Sequence, residues 1–254
     1  MLIEPTIDQL RQRGLTGMIE AVLELRGNPV TNELTHEEYL GILAERENTK
    51  QANKCMQSRL RTAKLRQQAA FEDVNYRVPR GLDRDLFLRL GSNQWIRDNN
   101  VVLITGPCGV GKSYLACALG HKACRDNISV SYRRCHRLFA ALGLARLDGS
   151  YASLFKTLTS VRLLILDDFG PELLTADQRR DLFEIIEERH KTAATLITSQ
   201  LPVDRWHDVI GCPTLADAVL DRLVHTAHRI PLKGRTMRDG ELVPAEPPAE
   251  VCAY

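Results

Sequence analysis

The sequence predicts an α/β protein in which a parallel sheet is covered by helices on both faces, preceded by an all-helical region of about 70 residues. From about residue 98 onward, the short apolar runs VVLIT, ISVSY, VRLLIL and ATLIT alternate with helical segments. Strands that alternate with helices are typical of parallel sheets, whose strands are buried on both faces. The 254 residues, 44% of them hydrophobic, suffice for one large domain or for a small domain joined to a medium one.

Two capping boxes predict the helix starts of the N-terminal region. Thr6 with Gln9, and Thr35 with Glu38, place side chains where they satisfy the free backbone N–H groups of a first helical turn. The first helix is predicted to end at residues 27–29, which read Gly-Asn-Pro. The second is predicted to run from about 36 to 70, because that stretch contains neither Gly nor Pro after its first turns.

Composition divides the chain further. We expect residues 1–70 to form the helical domain, residues 71–97 to connect it to the sheet, and residues 98–240 to form the α/β domain. The tail 241–254 is rich in Pro and Glu and is predicted to be disordered.

Composition also argues against two classes of protein. No run reaches the roughly 18 apolar residues of a membrane helix, and the start MLIEPTIDQ lacks the basic and apolar parts of a secretion signal. The seven cysteines never form a CxxC pair, so neither a disulfide framework nor a zinc site is indicated. We therefore expect a cytoplasmic protein with reduced thiols and no membrane partner.

A phosphate-binding loop follows the first strand. The stretch GPCGVGKS matches the pattern GxxxxGK[ST], with a strand before it and a helix after it. In this context backbone N–H groups face the phosphates, the lysine reaches the β- and γ-phosphates, and the serine can ligate Mg²⁺. The residues predicted to hold the nucleotide are Gly106, Pro107, Cys108, Gly109, Val110, Gly111, Lys112 and Ser113.

A pair of carboxylates is predicted to supply the second half of this site. The buried strand VRLLIL leads directly into Asp167 and Asp168, at the edge where sheets of this type place their ligand. We expect Asp167 to hold the magnesium shell together with Ser113, and Asp168 to orient and deprotonate the attacking water. The alternative is that the two acids only cap the following turn.

Other nucleotide-binding classes fit less well. The chain lacks the NKxD motif of GTPases, the HRD loop of protein kinases and the LSGGQ signature of transporter ATPases. A small-molecule kinase stays an alternative, although it would not need the motifs that follow. These observations favour an ATPase.

Polar residues further along the chain are candidates to complete the site. Gln200 follows the strand ATLITS, where it could reach the γ-phosphate or the water. The later segment carries Arg222, Arg235 and Arg238. Arginines here suit two tasks, one across a subunit boundary and one within the same chain from a lid. The alternatives are a strand end without a role and surface arginines in ion pairs.

The ordered motifs GPCGVGKS, LLILDDFG, TLITSQLP and DRLVHTAHRIPLKGRTMR resemble those of the IstB-like AAA+ ATPases. These are transposition helper proteins of bacterial insertion sequences, related to the helicase loader DnaC and the initiator DnaA. The resemblance implies a P-loop NTPase of the AAA+ type with a small helical lid. It implies these roles: Walker A for Gly106 to Ser113, Walker B for Asp167 and Asp168, sensor 1 for Gln200, the intersubunit arginine for Arg222, and sensor 2 for Arg238.

The resemblance also implies a function. By this resemblance, the protein is expected to bind duplex DNA with little sequence preference, to form ATP-dependent homo-oligomers on it, and to recruit and stimulate a transposase. A DnaC-like loader, which binds a replicative helicase through residues 1–70, is the alternative. The chain departs from the family pattern in two places: Asp168 stands where many AAA+ proteins have Glu, and Thr236 replaces the Ser of a late GxSxR motif.

Charge indicates where an anionic partner would bind. Residues 1–47 hold four Arg against nine acids, whereas residues 48–71 hold six Lys or Arg and no acid. Five cations fall within an arc of about 80° on the predicted second helix: Arg46, Lys50, Lys54, Arg61 and Lys64. Such a stripe could follow a DNA backbone, and a merely solvated helix face is the alternative. A second candidate surface consists of Arg133, Arg134 and Arg137.

Overall fold

The computed structural model describes residues 3–28, 31, 33–225 and 227–237. The helices are α1 Ile3–Gln12, α2 Thr16–Arg26, α3 His36–Ala63, α4 Arg84–Leu90, α5 Gln94–Arg97, α6 Lys112–Arg125, α7 Cys135–Asp148, α8 Tyr151–Ser160, α9 Ala176–Arg189, α10 Trp206–Ile210 and α11 Pro213–Val224. The strands are β1 Val101–Thr105, β2 Val130–Arg134, β3 Leu163–Phe169, β4 Ala194–Ser199 and β5 Ala227–Pro231.

Five parallel strands form one sheet in the order β2-β3-β4-β1-β5. The four strands expected from the apolar runs are all present and largely buried. The predicted α/β architecture is therefore confirmed. The sequence did not predict β5, because its run AHRIP mixes polar and apolar residues and ends in proline, as edge strands tolerate.

Helices cover both faces of the sheet. One face packs against α6 and the short helices α4 and α5, and the opposite face packs against α7 to α11. Because alternate residues of a strand point to opposite faces, Leu163 and Ile165 join the first core, whereas Leu164 and Leu166 join the second. This double burial explains why the strands read as continuous apolar runs.

The N-terminal region has more helices than the sequence predicted. The helix α1 already includes Thr6, so the prediction of a helix start at Thr6 is wrong. The first helical segment is interrupted at Gly14, where φ is 74°, and α2 begins at Thr16. The second capping box is confirmed: the Glu38 N–H donates to Thr35 Oγ1 at 3.2 Å, and the Thr35 N–H donates to the Glu38 carboxylate at 2.8 Å.

The long helix α3 is shorter than predicted. It ends at Ala63, and Lys64 takes a left-handed conformation with a φ of 52°. Ala63 is fully buried, and Leu65 packs beside Gly120 of α6. The helix therefore ends where the chain must turn to pack against the α/β core. This end could not be predicted from the local sequence. The division of the chain near residues 70 and 97 stays a prediction.

After β5 the chain continues as an irregular segment, residues 232–237, without a helix in that stretch. Arg238 and the expected tail 241–254 lie outside the described residues, and no lid helix follows β5 within them. In the same described ranges, no helix combines the length and apolar character needed to cross a bilayer.

Candidate nucleotide-binding site

The predicted phosphate loop connects the carboxyl end of β1 to the amino end of α6. Its backbone has positive φ angles at Gly106 (146°) and Gly109 (87°), which glycine adopts without steric cost. Val110 is buried and anchors the loop, whereas Pro107 and Cys108 are exposed at its tip. The loop thus presents its outer residues to an open cavity and holds itself in place through one apolar side chain.

The segment 232–237 lies directly on this loop. The Met237 N–H donates to the Gly109 carbonyl at 2.9 Å. A side chain at position 109 would collide with Thr236, and one at Gly106 would collide with the Leu232 carbonyl. Glycine is therefore required at both positions by close approach as well as by φ.

Lys112 begins α6, immediately after Gly111, whose φ is 93°. Its Nζ donates to the carbonyls of Gly106 and Pro107, both at 2.7 Å, and the residue is 8% exposed. The ammonium group is therefore held across the loop at the amino end of a 14-residue helix, where the helix dipole favours anions.

Asp167 is the centre of a buried hydroxyl cluster. Its Oδ1 accepts from Ser113 Oγ at 2.8 Å and from Thr198 Oγ1 at 2.6 Å, and its Oδ2 accepts from Tyr132 Oη. Burial, together with the hydrogen bond to Asp167, raises the pKa of Tyr132, so the phenol stays a donor at neutral pH. Three hydroxyl donors thus stabilise a fully buried carboxylate.

The predicted magnesium ligands Ser113 and Asp167 are in direct contact, and their hard oxygen atoms suit Mg²⁺. Within the described ranges no group of three or more His, Cys, Asp or Glu residues could hold a metal by itself. This donor set fits Mg²⁺, which usually takes one or two protein ligands and completes its shell with water and phosphate oxygens.

Asp168 and Gln200 meet at the carboxyl edge of the sheet. The pairing of β3 with β4 shifts register between Leu166 and Phe169, and Asp168 has a φ of 61° within this irregularity. Its N–H donates to Thr198 Oγ1 at 3.0 Å, and Gln200 Nε2 donates to its Oδ1 at 3.1 Å. Strained backbone of this kind is concentrated at functional sites.

These groups line a cavity of about 420 Å³, a volume typical of small-molecule sites. It contains Lys112, Ser113, Asp168 and Gln200, and Asp167 lies directly beneath it. The cavity also has residues to which the sequence assigned no role at this site: Gln67, Asp73, Asn75, Arg80, Tyr114 and Arg134. They come from the stretch before β1, from α6 and from β2.

Arg80 is the most deeply buried of these residues, at 2% exposed. Its guanidinium donates to the Val110 carbonyl at 3.1 Å and to the Asn75 carbonyl at 3.2 Å. Burial lowers the pKa of Arg80. No periodic pattern in the sequence distinguishes this arginine, so its contact with the phosphate loop could not be predicted.

Thr198 was also missed, although its place offered a signal: a hydroxyl near the end of the strand that pairs with β3. Thr198→Val keeps the shape of the side chain but deprives Asp167 of a donor and the Asp168 N–H of its acceptor. We expect it to lower the free energy of unfolding by about 1–3 kcal/mol. Urea denaturation followed by circular dichroism measures this.

Thr157→Val is the control, because Thr157 is exposed on α8 and its hydroxyl donates to the Ser153 carbonyl. It should change the unfolding free energy by no more than about 0.5 kcal/mol. Equal effects of the two substitutions would contradict a special role for the Thr198 hydroxyl.

Arg222 lies away from the phosphate loop of its own chain. Its Nη2 pairs with Glu187 at 2.5 Å, its Nη1 donates to the Ala218 carbonyl at 2.7 Å, and its guanidinium lies over the Phe183 ring. It lines a small cavity with Val101, from the amino end of β1, at the opposite edge of the sheet. Arg235 is exposed, and Arg238 lies outside the described residues.

The predicted basic stripe is partly engaged within the chain. Arg46 pairs with Glu24 and Lys50 pairs with Glu20 of α2, both at 2.5 Å. Lys54 and Arg61 are exposed on α3. Lys64 follows the helix instead of extending it, because α3 ends one residue earlier than this position.

Comparisons with known proteins agree with these motifs. A family model described as IstB-like ATP binding protein matches residues 8–242. The chain is 56% identical over 238 residues to the insertion sequence ATP-binding protein y4pL of Sinorhizobium fredii, covering 94% of this chain and 97% of the relative. It is 41% identical over 203 residues to the ATP-binding protein of insertion sequence IS1162 of Pseudomonas fluorescens, covering 80% and 88%.

The fold of this chain is similar to that of several solved structures. A DnaI structure superposes with a TM-score of 0.58 at 20% identity, covering 65% of this chain and 91% of that one. The DnaC helicase loader gives 0.53 at 20% identity, covering 65% and 97%. DnaA bound to AMPPCP and single-stranded DNA gives 0.55 at 18% identity, covering 68% and 52%. These likenesses confirm the predicted fold, a parallel sheet with helices on both faces.

Proposed function

The chain belongs to the family of IstB-like ATP binding proteins, and on this premise we propose that it is an ATP-hydrolysing transposition helper. In this proposal it binds ATP and Mg²⁺, forms homo-oligomers on duplex DNA with little sequence preference, and recruits and stimulates a transposase. The observation that carries the ATPase assignment is the meeting of Lys112, Ser113, Asp168 and Gln200 at one cavity above buried Asp167.

The loop residues Gly106 to Ser113 would hold the triphosphate. Lys112 is already positioned by two loop carbonyls, so its charge lies at the loop without further rearrangement of the backbone. Ser113 and Asp167 would hold Mg²⁺, which neutralises charge on the phosphates when bound. The hydroxyls of Tyr132 and Thr198 donate to Asp167 and orient its carboxylate for this role.

Asp168 would accept the proton of the attacking water. Its carboxylate lines the cavity and contacts the amide of Gln200, so both side chains can respond to the same phosphate. A positioned general base contributes about 10²–10⁴ to the rate. Asp168 lies within the irregular pairing of β3 with β4, and its short side chain lines the cavity from there.

Arg222 would complete the site of a neighbouring copy. Within its own chain it is at the opposite sheet edge, so it reaches a phosphate only across a subunit boundary. Its ion pair with Glu187 is partly exposed, and pairs of this kind contribute about 0–1 kcal/mol. The arginine can therefore leave Glu187 at small cost when a second copy arrives.

We expect Arg222→Ala to reduce the ATPase rate by about 10³-fold or more. Mixing it in equal amounts with Asp168→Asn should restore about a quarter of the wild-type rate, because in a closed ring one boundary in four combines an intact base with an intact arginine. Steady-state phosphate release measures both.

Glu187→Gln is the control, since it removes the ion pair and leaves Arg222 in place. It should keep the wild-type rate. If Glu187→Gln loses activity as Arg222→Ala does, or if the mixture stays inactive, Arg222 has only a structural role and the intersubunit assignment is wrong.

The comparisons favour two different partners. The relatives are named insertion sequence ATP-binding proteins, which favours a transposase, whereas the fold also resembles the DnaC helicase loader, which favours a replicative helicase. Both alternatives use the same ATP site and differ in what residues 1–70 bind. Affinity capture with the full chain and ATP, probed separately with each purified partner, distinguishes them.

A further inference from the structure

A second cavity, of about 380 Å³, lies beside the nucleotide site and is strongly basic. We call it the basic groove and define it by five residues: Lys64, Arg66, Arg133, Arg134 and Arg137. They come from three separate places, the chain after α3, the end of β2 and the first turn of α7. The remaining lining residues are Tyr132, Leu138, Ala141 and Leu154, so no acid of the described ranges lines it.

The cations of the basic groove are not balanced by carboxylates of the described residues. In the part that the structure describes, none of the five forms a salt bridge with a carboxylate. The Nε atoms of Arg133 and Arg134 are buried, and no described residue accepts a hydrogen bond from them. Since buried polar groups are nearly always hydrogen-bonded and like charges repel, this arrangement calls for an anion.

The predicted stripe on α3 differs in this respect. Two of its members, Arg46 and Lys50, already face carboxylates of α2. Lys54 and Arg61 are exposed and in no salt bridge in the described ranges, and Arg61 precedes Lys64 by about one helical turn. The cations without a salt bridge therefore lie toward the end of α3 and in the basic groove. The first part of the stripe is already paired with α2.

We infer that the basic groove binds the phosphate backbone of duplex DNA; this inference rests on the proposed function. Four of its five cations are arginines, whose planar fork matches phosphate oxygens in two-pronged contacts. The cations come from three parts of the chain, and Arg61 lies about one helical turn before Lys64. Cations spread in this way suit a row of phosphates better than a single small anion. Among the described residues Tyr132 is the one aromatic that lines the groove, and it donates to Asp167. Recognition is therefore of the backbone and not of stacked bases.

The groove shares a wall with the nucleotide site. Arg66 and Arg134 line both cavities, whereas Lys64, Arg133 and Arg137 line the groove and not the nucleotide cavity. Substitutions at the latter three residues therefore test DNA binding without touching a residue of the nucleotide cavity.

The test is a triple variant, Lys64→Asn with Arg133→Gln and Arg137→Gln. Asparagine is chosen at position 64 because it tolerates the left-handed conformation found there. The matched control replaces three exposed cations elsewhere, Arg77, Arg97 and Arg180, by Gln, which changes the net charge equally. Duplex DNA binding of the full chain with ATP analogue is measured by fluorescence anisotropy across a salt series, and nucleotide binding is measured in parallel.

For the triple variant we expect DNA affinity to fall by about tenfold or more at 0.1 M salt, and the log–log salt slope to flatten by about 0.9 for each lost phosphate contact. The control should keep the wild-type slope, and all proteins should bind the nucleotide analogue alike. Because Arg133 is partly buried, a second variant with only Lys64→Asn and Arg137→Gln should show about two thirds of the slope change.

Two results overturn the inference. If wild type binds duplex DNA and the triple variant has an unchanged slope, DNA binds elsewhere, and the proposed function stands without the groove. If the triple variant loses binding of inorganic tripolyphosphate but keeps that of DNA, the groove is a site for a free anion. Failure of wild type to bind duplex DNA while it still binds nucleotide contradicts the proposed function itself.

Discussion

Lys112→Ala is expected to abolish nucleotide binding. The ammonium group is the one side-chain cation that the phosphate loop itself supplies, and two carbonyls hold it in position at 2.7 Å. Hydrogen bonds to charged groups contribute about 1.5–3 kcal/mol each. Loss of two such bonds to phosphate oxygens lowers affinity by about a hundredfold to ten-thousandfold. Titration with a fluorescent ATP analogue measures the change.

Lys233→Ala is the matched control, because Lys233 is exposed on the neighbouring segment and does not line the cavity. It should bind nucleotide like the wild type. The melting temperatures of the two variants show whether the loop still folds. Unchanged ATP affinity of a folded Lys112→Ala protein would refute the assignment of this loop to the phosphates.

Asp168→Asn is expected to keep nucleotide binding and to lose turnover by about 10²–10⁴-fold. Asparagine adopts positive φ angles more readily than most residues, so it suits the backbone at this position. Its amide oxygen can still accept from Gln200, which preserves that contact. The substitution therefore removes the proton acceptor while it leaves the shape of the site intact.

Glu172→Gln provides the control, since Glu172 is an exposed acid shortly after β3. Phosphate release and equilibrium binding of an ATP analogue should be measured on both variants. Normal turnover of Asp168→Asn would remove Asp168 as the base. Loss of binding as well as turnover would instead assign it to the nucleotide pocket.

Local sequence was sufficient to predict those parts of the site whose residues are adjacent in the chain. The phosphate loop and the acid pair could be predicted because each is a short motif attached to a strand, and parallel strands end at the same edge of a sheet. Contact between Ser113 and Asp167 follows from that topology. The partners Tyr132 and Thr198 were not identified, since their roles depend on strand order, β2 beside β3 and β3 beside β4.

The structure adds two features that the sequence did not predict, and both arise from packing between distant parts of the chain. The predicted helix continued past Ala63 because no Gly or Pro follows up to residue 70, but packing of Ala63 and Leu65 against the core ends α3 there. Charge spacing predicted a stripe that includes Arg46 and Lys50, yet α2 supplies carboxylates to both. Neither effect is encoded within a window of neighbouring residues.

The contact between the phosphate loop and the segment 232–237 constrains how this protein can diverge. The space at Gly109 is filled by Thr236, and the space at Gly106 by the backbone at Leu232. The effect of a mutation in one of these stretches therefore depends on the residues of the other, although more than a hundred positions separate them in the sequence. Homologues should inherit the two stretches as a matched pair, and recombination that exchanges only one of them should yield proteins that fold poorly.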